Sequence, residues 1–123
     1  MMHQYDPERA PYPEEWLALD EQERIFLVEH FHRDARIKLP SITAHAAFHA
    51  IVENQIAEGL ESVVRAMERL TKQGLTRHDA VHAIGSVVAA HMQELFKTKD
   101  AATSQARYNA AVERITAKSW RNG

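Results

Sequence analysis

Residues 42–74 read ITAHAAFHAIVENQIAEGLESVVRAMERLTKQG, and this stretch decides the fold class. In its first half Phe48, Ile51, Val52 and Ile56 recur three or four residues apart, the offsets of one helix face. In its second half Val63, Met67 and Leu70 do the same. Gly59 and Gly74 follow the two periodic runs, where a helix ends most easily. Nothing in the stretch alternates with the period of two that a strand would need. Two helices joined by a short connection are therefore expected.

The same reading extends outward. Asp20 and Glu23 have the spacing of a capping box before EQERIFLVEHFHRDAR, in which Ile25, Leu27, Val28 and Phe31 form a stripe. Pro13 suits the first turn of a short helix, PEEWLAL. Residues 1–13 hold three of the four prolines and read as an extended arm. Pro40 ends the next connection, and Ser41 is placed to cap the helix beginning at Ile42. Downstream, Thr76 with Asp79 opens a long helix from Arg77 to about Lys97. Asp100 is placed to cap one last helix, with Tyr108, Ala111, Val112, Ile115 and Ser119 at helical offsets. The expected architecture is all-α: an arm over 1–13, then a single domain over 14–123, a compact bundle of about five helices with antiparallel neighbours.

Composition agrees with one globular domain. The 123 residues are 45% apolar and 26% charged, with four glycines. The absence of cysteine removes disulfides, thiolate metal sites and cysteine nucleophiles together. The start MMHQYDPERAPYP lacks the basic-then-apolar pattern of a secretory signal. The longest apolar run, around AIGSVVAAHM, is too short to span a membrane, so a cytoplasmic location is expected. The net charge of −2 is uneven: residues 1–29 carry −6 and residues 97–123 carry +4. The basic segment has no dense Lys/Arg run with interleaved aromatics, which disfavours nucleic acid as a partner. A second copy of the chain, forming a homodimer, is the partner that remains to be considered, with no membrane and no identifiable protein partner.

The chemistry of the chain is concentrated in its histidines. HAAFHAIVE places His45 and His49 four apart, with Glu53 four further on. RHDAVHAIG repeats the device with His78 and His82. With about 100° per residue, His45 falls within the apolar face, His49 lies about 40° away at its margin, and Glu53 about 80° away, just outside. His78 and His82 occupy equivalent positions on their helix. Side chains at i and i+4 are close enough for two imidazoles to share one ion. Two facing pairs offer four nitrogens, or three with Glu53, a donor set suited to zinc, nickel, iron or manganese. If the chain is an enzyme, the class is metal-assisted hydrolysis, with Glu53 as the candidate general base. The alternative is a non-enzymatic interaction or homo-oligomerisation module whose histidines only hydrogen-bond. Asp79 reads as a cap rather than a ligand. Asn54 is expected to be exposed, as are His30 and His91; His32 lies late in its helix, within reach of the cluster, but is expected at the surface, and His3 lies in the arm. Gly85 either admits a neighbouring helix closely or leaves room for a ligand.

Several familiar sites are absent. There is no HExxH, no inward ExxH pair, no Gly-rich phosphate loop and no G-x-S-x-G. His78-Asp79 has the letters of an HD hydrolase, but no further metal-ligand segments of that kind accompany it.

The segments WLALDEQERIFLVEHFH, HAAFHAIVENQIAEG and RLTKQGLTRHDAVHAIGSVVAAH resemble a family of small bacterial all-helical proteins of unknown function. The shared pattern reads WLAL-(D/E)-E, then H-x3-H-x-I-V-E-N-Q, then R-L-x3-G-L-x-R-H-x-A-x-H-A-I-G. It covers roughly residues 16–91 and leaves out the basic tail. The resemblance implies a helical fold and a shared site centred on His45, His49, Glu53, Asn54, Gln55, Arg77, His78, His82 and Gly85. It implies no particular reaction.

Overall fold

The computed structural model describes residues 4–34, 42–98 and 101–122. Seven helices and no strand occur among them: α1 (Pro13–Ala18), α2 (Glu21–Asp34), α3 (Ile42–Ala57), α4 (Glu61–Lys72), α5 (Arg77–Thr98), α6 (Ala101–Arg114) and α7 (Ala117–Asn122). The all-α expectation holds, and the local signals explain most boundaries. Glu23 N–H donates to Asp20 Oδ1 at 2.8 Å and Asp20 N–H to Glu23 Oε1 at 3.4 Å, so the capping box at α2 is made in both directions. Asp79 N–H donates to Thr76 Oγ1 at 3.1 Å at the start of α5. Gly59 and Gly74 close α3 and α4 with φ of 74° and 101°, the left-handed region in which a Cβ would be strained. The expected caps at Ser41 and Asp100, and the arm residue His3, lie outside the described residues.

The C-terminal region departs from the single helix expected there. Ile115 and Thr116 leave the helical path between α6 and α7. Two local devices make the break. Thr116 and Ser119 cap each other reciprocally, backbone N–H to side-chain oxygen, at 3.0 Å both ways. Arg69, from α4, donates to the carbonyls of Val112 and Ile115 at 2.8 Å each, satisfying the frayed end of α6.

The packing order positions the site. α3 lies against both α2 and α5, and α1 also covers it; α5 in turn packs on α4 and α6. The apolar core accordingly falls into two clusters. One is built from Val52, Leu70, Val81, Ile84, Val112 and their neighbours. The other gathers Tyr5, Trp16, Leu19, Leu27, Val28, Ala46 and Ala50. α3 supplies residues to both, so two of its faces are buried rather than one. The arm is not a free extension: Tyr5 is 4% exposed and belongs to the second cluster, and Arg9 N–H closes a turn on Asp6 O at 3.0 Å.

Candidate metal centre

The burial of α3 on two sides reverses the order inferred from a single apolar stripe. His45, placed within the stripe, is half-buried, whereas His49 at its margin is 2% exposed and Glu53 beyond it is 1% exposed. Asn54, expected in solvent, is half-buried and accepts from Trp16 Nε1 at 2.8 Å and Arg24 at 3.0 Å. The margin of the stripe facing α5 is itself an interior surface, because α1, α2 and the arm close over it.

Both sequence pairs converge, with an unexpected member. One ligating nitrogen from each of His32, His49, His78 and His82 lies within 4.8 Å of the other three. His82 Nε2 is 2.9 Å from His78 Nε2, 2.9 Å from His45 Nε2 and 3.5 Å from His32 Nε2. Two nitrogens on one tetrahedral zinc are expected about 3.3 Å apart, from bonds of about 2.0–2.1 Å, and these spacings bracket that value. His45 thus touches the group through His82 but stands outside the four.

His32, expected at the surface, is fully buried on α2. The signal was present: His32 is four residues after Val28 and seven after Ile25, on the same helical face. His30 is exposed, and His91 is half-buried on α5, 3.1 Å from Ser104 Oγ through Nε2.

Hydrogen-bond chemistry fixes two tautomers. The Val28 carbonyl can only accept, so His32 Nδ1 donates to it at 2.8 Å, and in the neutral ring Nε2 then carries the lone pair. At His49, Nε2 is 2.6 Å from the Tyr5 hydroxyl, which also bonds Glu53 Oε2. Burial, with the Glu53 carboxylate adding to it, holds the Tyr5 phenol well above its usual pKa. Tyr5 therefore donates to Glu53 and accepts from His49 Nε2–H. His49 Nδ1 is left buried, with a lone pair and no partner among the described residues. A buried imidazole nitrogen without a partner is costly. A bound ion would remove that cost, and metal-bound histidines commonly donate their other ring N–H to an acceptor that orients them, the part Tyr5 plays toward His49 Nε2.

Hydrogen bonding alone does not satisfy the cluster. His82 Nε2 has either one hydrogen or one in-plane lone pair, yet two imidazole nitrogens approach it at 2.9 Å. An extra proton is opposed by the surroundings. Burial, then the neighbouring His78 and His45, lowers the His82 pKa to about 3. Burial is also the first cause that lowers His45, His78 and, most strongly, His49.

Glu53 takes a role different from that of ligand or base. Arg77, the first residue of α5, binds both of its oxygens, NH1 to Oε2 at 2.7 Å and NH2 to Oε1 at 2.8 Å. Arg77 NH1 also donates to Pro7 O at 2.8 Å, and His78 N–H donates to Glu8 at 3.2 Å. The arm, the start of α5 and His49 are thereby tied into one network. Neither Tyr5 nor Arg77 stood out as a site residue by spacing. Tyr5 lies 44 residues from His49, in a segment that reads as extended.

The lowered histidine basicities set a pH dependence. A histidine whose pKa falls on folding binds fewer protons in the folded chain than in the unfolded one below pH 6.5. Stability of the metal-free chain should be flat between pH 6.5 and about 10, above which the raised Tyr5 phenol enters, and should fall as pH drops through 6.5 toward 3, the window set by His82. The slope limit is about 1.4 kcal/mol per pH unit for a deeply buried histidine such as His49, and smaller for the half-buried ones, where solvent screens the charge. Denaturant midpoints in EDTA at pH 7.5, 6 and 5 check this; midpoints independent of pH would contradict it.

No protein-family model, curated protein or solved structure matches this chain.

Proposed function

We propose that this chain is a metalloprotein whose histidine cluster holds one divalent transition-metal ion. The observation that carries the reading is the pair of lone pairs, His32 Nε2 and His49 Nδ1, each left over when the other ring nitrogen is taken by a fixed partner. His78 and His82 complete the donor set, and His45 stands beside it as a fifth imidazole. All these donors are nitrogens, and Glu53 is engaged by Arg77 and Tyr5. Zinc, nickel and ferrous iron suit such a set better than manganese, which favours oxygen. Glu53 acts through Tyr5, fixing the tautomer and orientation of His49, and so serves as a positioning residue. Such an ion would supply Lewis acidity to whatever molecule reaches it.

Cobalt(II) titration followed by visible absorption tests the reading, since cobalt held tetrahedrally by four histidines gives far more intense ligand-field bands than the hydrated octahedral ion. Saturation near one ion per chain is expected. His32→Ala should weaken binding on the order of 100-fold, and the exposed His30→Ala should leave it unchanged. No uptake by the wild-type chain, or equal affinity in His32→Ala, overturns the proposal.

A further inference from the structure

A cavity of 290 Å³ lies beside the cluster, with His45, His49 and His82 among its lining residues. Three observations bear on what it holds. First, the unpartnered Nδ1 belongs to His49, a lining residue that is 2% exposed. Second, the cavity is lined by Phe48 and Trp120, with Val81 and Ala89 adding aliphatic surface, and no Lys, Arg, Asp or Glu is among the described residues that line it. The one hydroxyl there, on Ser86, donates back to Ala83 O at 2.6 Å. Away from the ion, these walls offer no side-chain charge, and they accept an apolar or aromatic body.

The third observation concerns Gly85, which sits in the middle of α5 and also lines the cavity. Glycine is among the poorest residues for a helix interior. Close packing does not require it here: a Cβ at this position would meet only Val52 Cγ2, at 4.0 Å, an ordinary contact distance. Its backbone conformation is helical, so no positive φ requires it either. What the missing side chain preserves is open space next to the histidines.

We propose that this cavity is a ligand site for a small molecule with an aryl body, seated between Phe48 and Trp120 over Gly85, and one donor atom directed to the histidine-bound ion as a fifth ligand. The inference rests on the metal reading for its head group and on the cavity for its body, and the two are tested apart. The volume is near the lower end of small-molecule sites, roughly 300–1,000 Å³, and suits a one- or two-ring compound.

The probes are imidazole, which has the head alone, and 4-phenylimidazole, which adds the body. Both are titrated calorimetrically into zinc-loaded protein. Burying the phenyl ring should make 4-phenylimidazole bind on the order of 30-fold more tightly. Gly85→Leu, which fills the cavity, should reduce that ratio to about one. Trp120→Ala, which removes a wall without adding bulk, should also lower it, and serves if the leucine variant fails to fold. Equal affinities in wild type, or a ratio unchanged in both variants, overturns the proposal. Failure of the metal reading appears separately, as zinc that dialyses away. In that event 4-phenylimidazole is titrated into metal-free protein: binding abolished by Gly85→Leu or Trp120→Ala supports the body site, and no binding overturns it.

Discussion

Adding EDTA to the metal-loaded chain is expected to lower its melting temperature by roughly 15 °C. An ion present at a thousand times its dissociation constant stabilises the folded state by about 4 kcal/mol, provided the unfolded chain binds it poorly. That proviso is met by topology. The donors come from α2, α3 and α5, and His32 and His82 are 50 residues apart in sequence. Only folding brings them together, so the ion's binding energy appears as folding energy. For a domain of this size each kcal/mol moves the midpoint by about 4 °C. The shift should shrink to roughly 6 °C in His32→Ala, because a donor lost at a cost of about 100-fold in affinity leaves the ion at only about ten times its dissociation constant. Calorimetric melts with and without chelator make the comparison, and superimposed wild-type melts would count against the ion.

Glu53→Ala should cost about 3–5 kcal/mol of stability, the usual penalty for removing one partner of a buried ion pair. Glu53 is 1% exposed and the Arg77 side chain 14% exposed, so the guanidinium would remain in the interior with its strongest acceptor gone. Tyr5 would lose its acceptor as well, and with it the arrangement that makes His49 Nε2 a donor. Metal affinity should therefore fall about 10- to 100-fold, even though Glu53 does not touch the ion. The double variant Glu53→Leu/Arg77→Met should recover much of the stability, because it removes both charges and not just one, but it should not recover the affinity. Urea denaturation and cobalt titration on the single and double variants separate the two effects. Equal metal affinity in wild type and Glu53→Ala would remove Glu53 from the positioning network.

The fold was legible wherever one local rule acted alone. Apolar offsets in 42–74, left-handed glycines at 59 and 74, and the Asp20–Glu23 box each act within a few residues of their own position. The split between α6 and α7 was harder to see. The periodic face runs through Ile115 unbroken, and the break depends on Arg69 from a distant helix as well as on Thr116 and Ser119.

The site divides in the same way. His45, His49, His78 and His82 announced themselves because i and i+4 neighbours share a face whatever the tertiary fold. His32 has no such partner, since its closest histidine, His30, is on another face of α2. Its role depends on α2 packing against α3. Glu53 fell just outside the apolar face because a helical wheel assumes one buried side, and α3 has two. Tyr5 could not be found from periodicity, because the arm reaches His49 only through the tertiary fold.

Elemental analysis of untagged, extensively dialysed protein by plasma mass spectrometry tests the central claim most directly. Close to one zinc, nickel or iron per chain is expected, lost in His32→Ala and retained in His30→Ala. Protein that carries no such ion and takes up none on titration would contradict it, leaving the cluster as packed imidazoles.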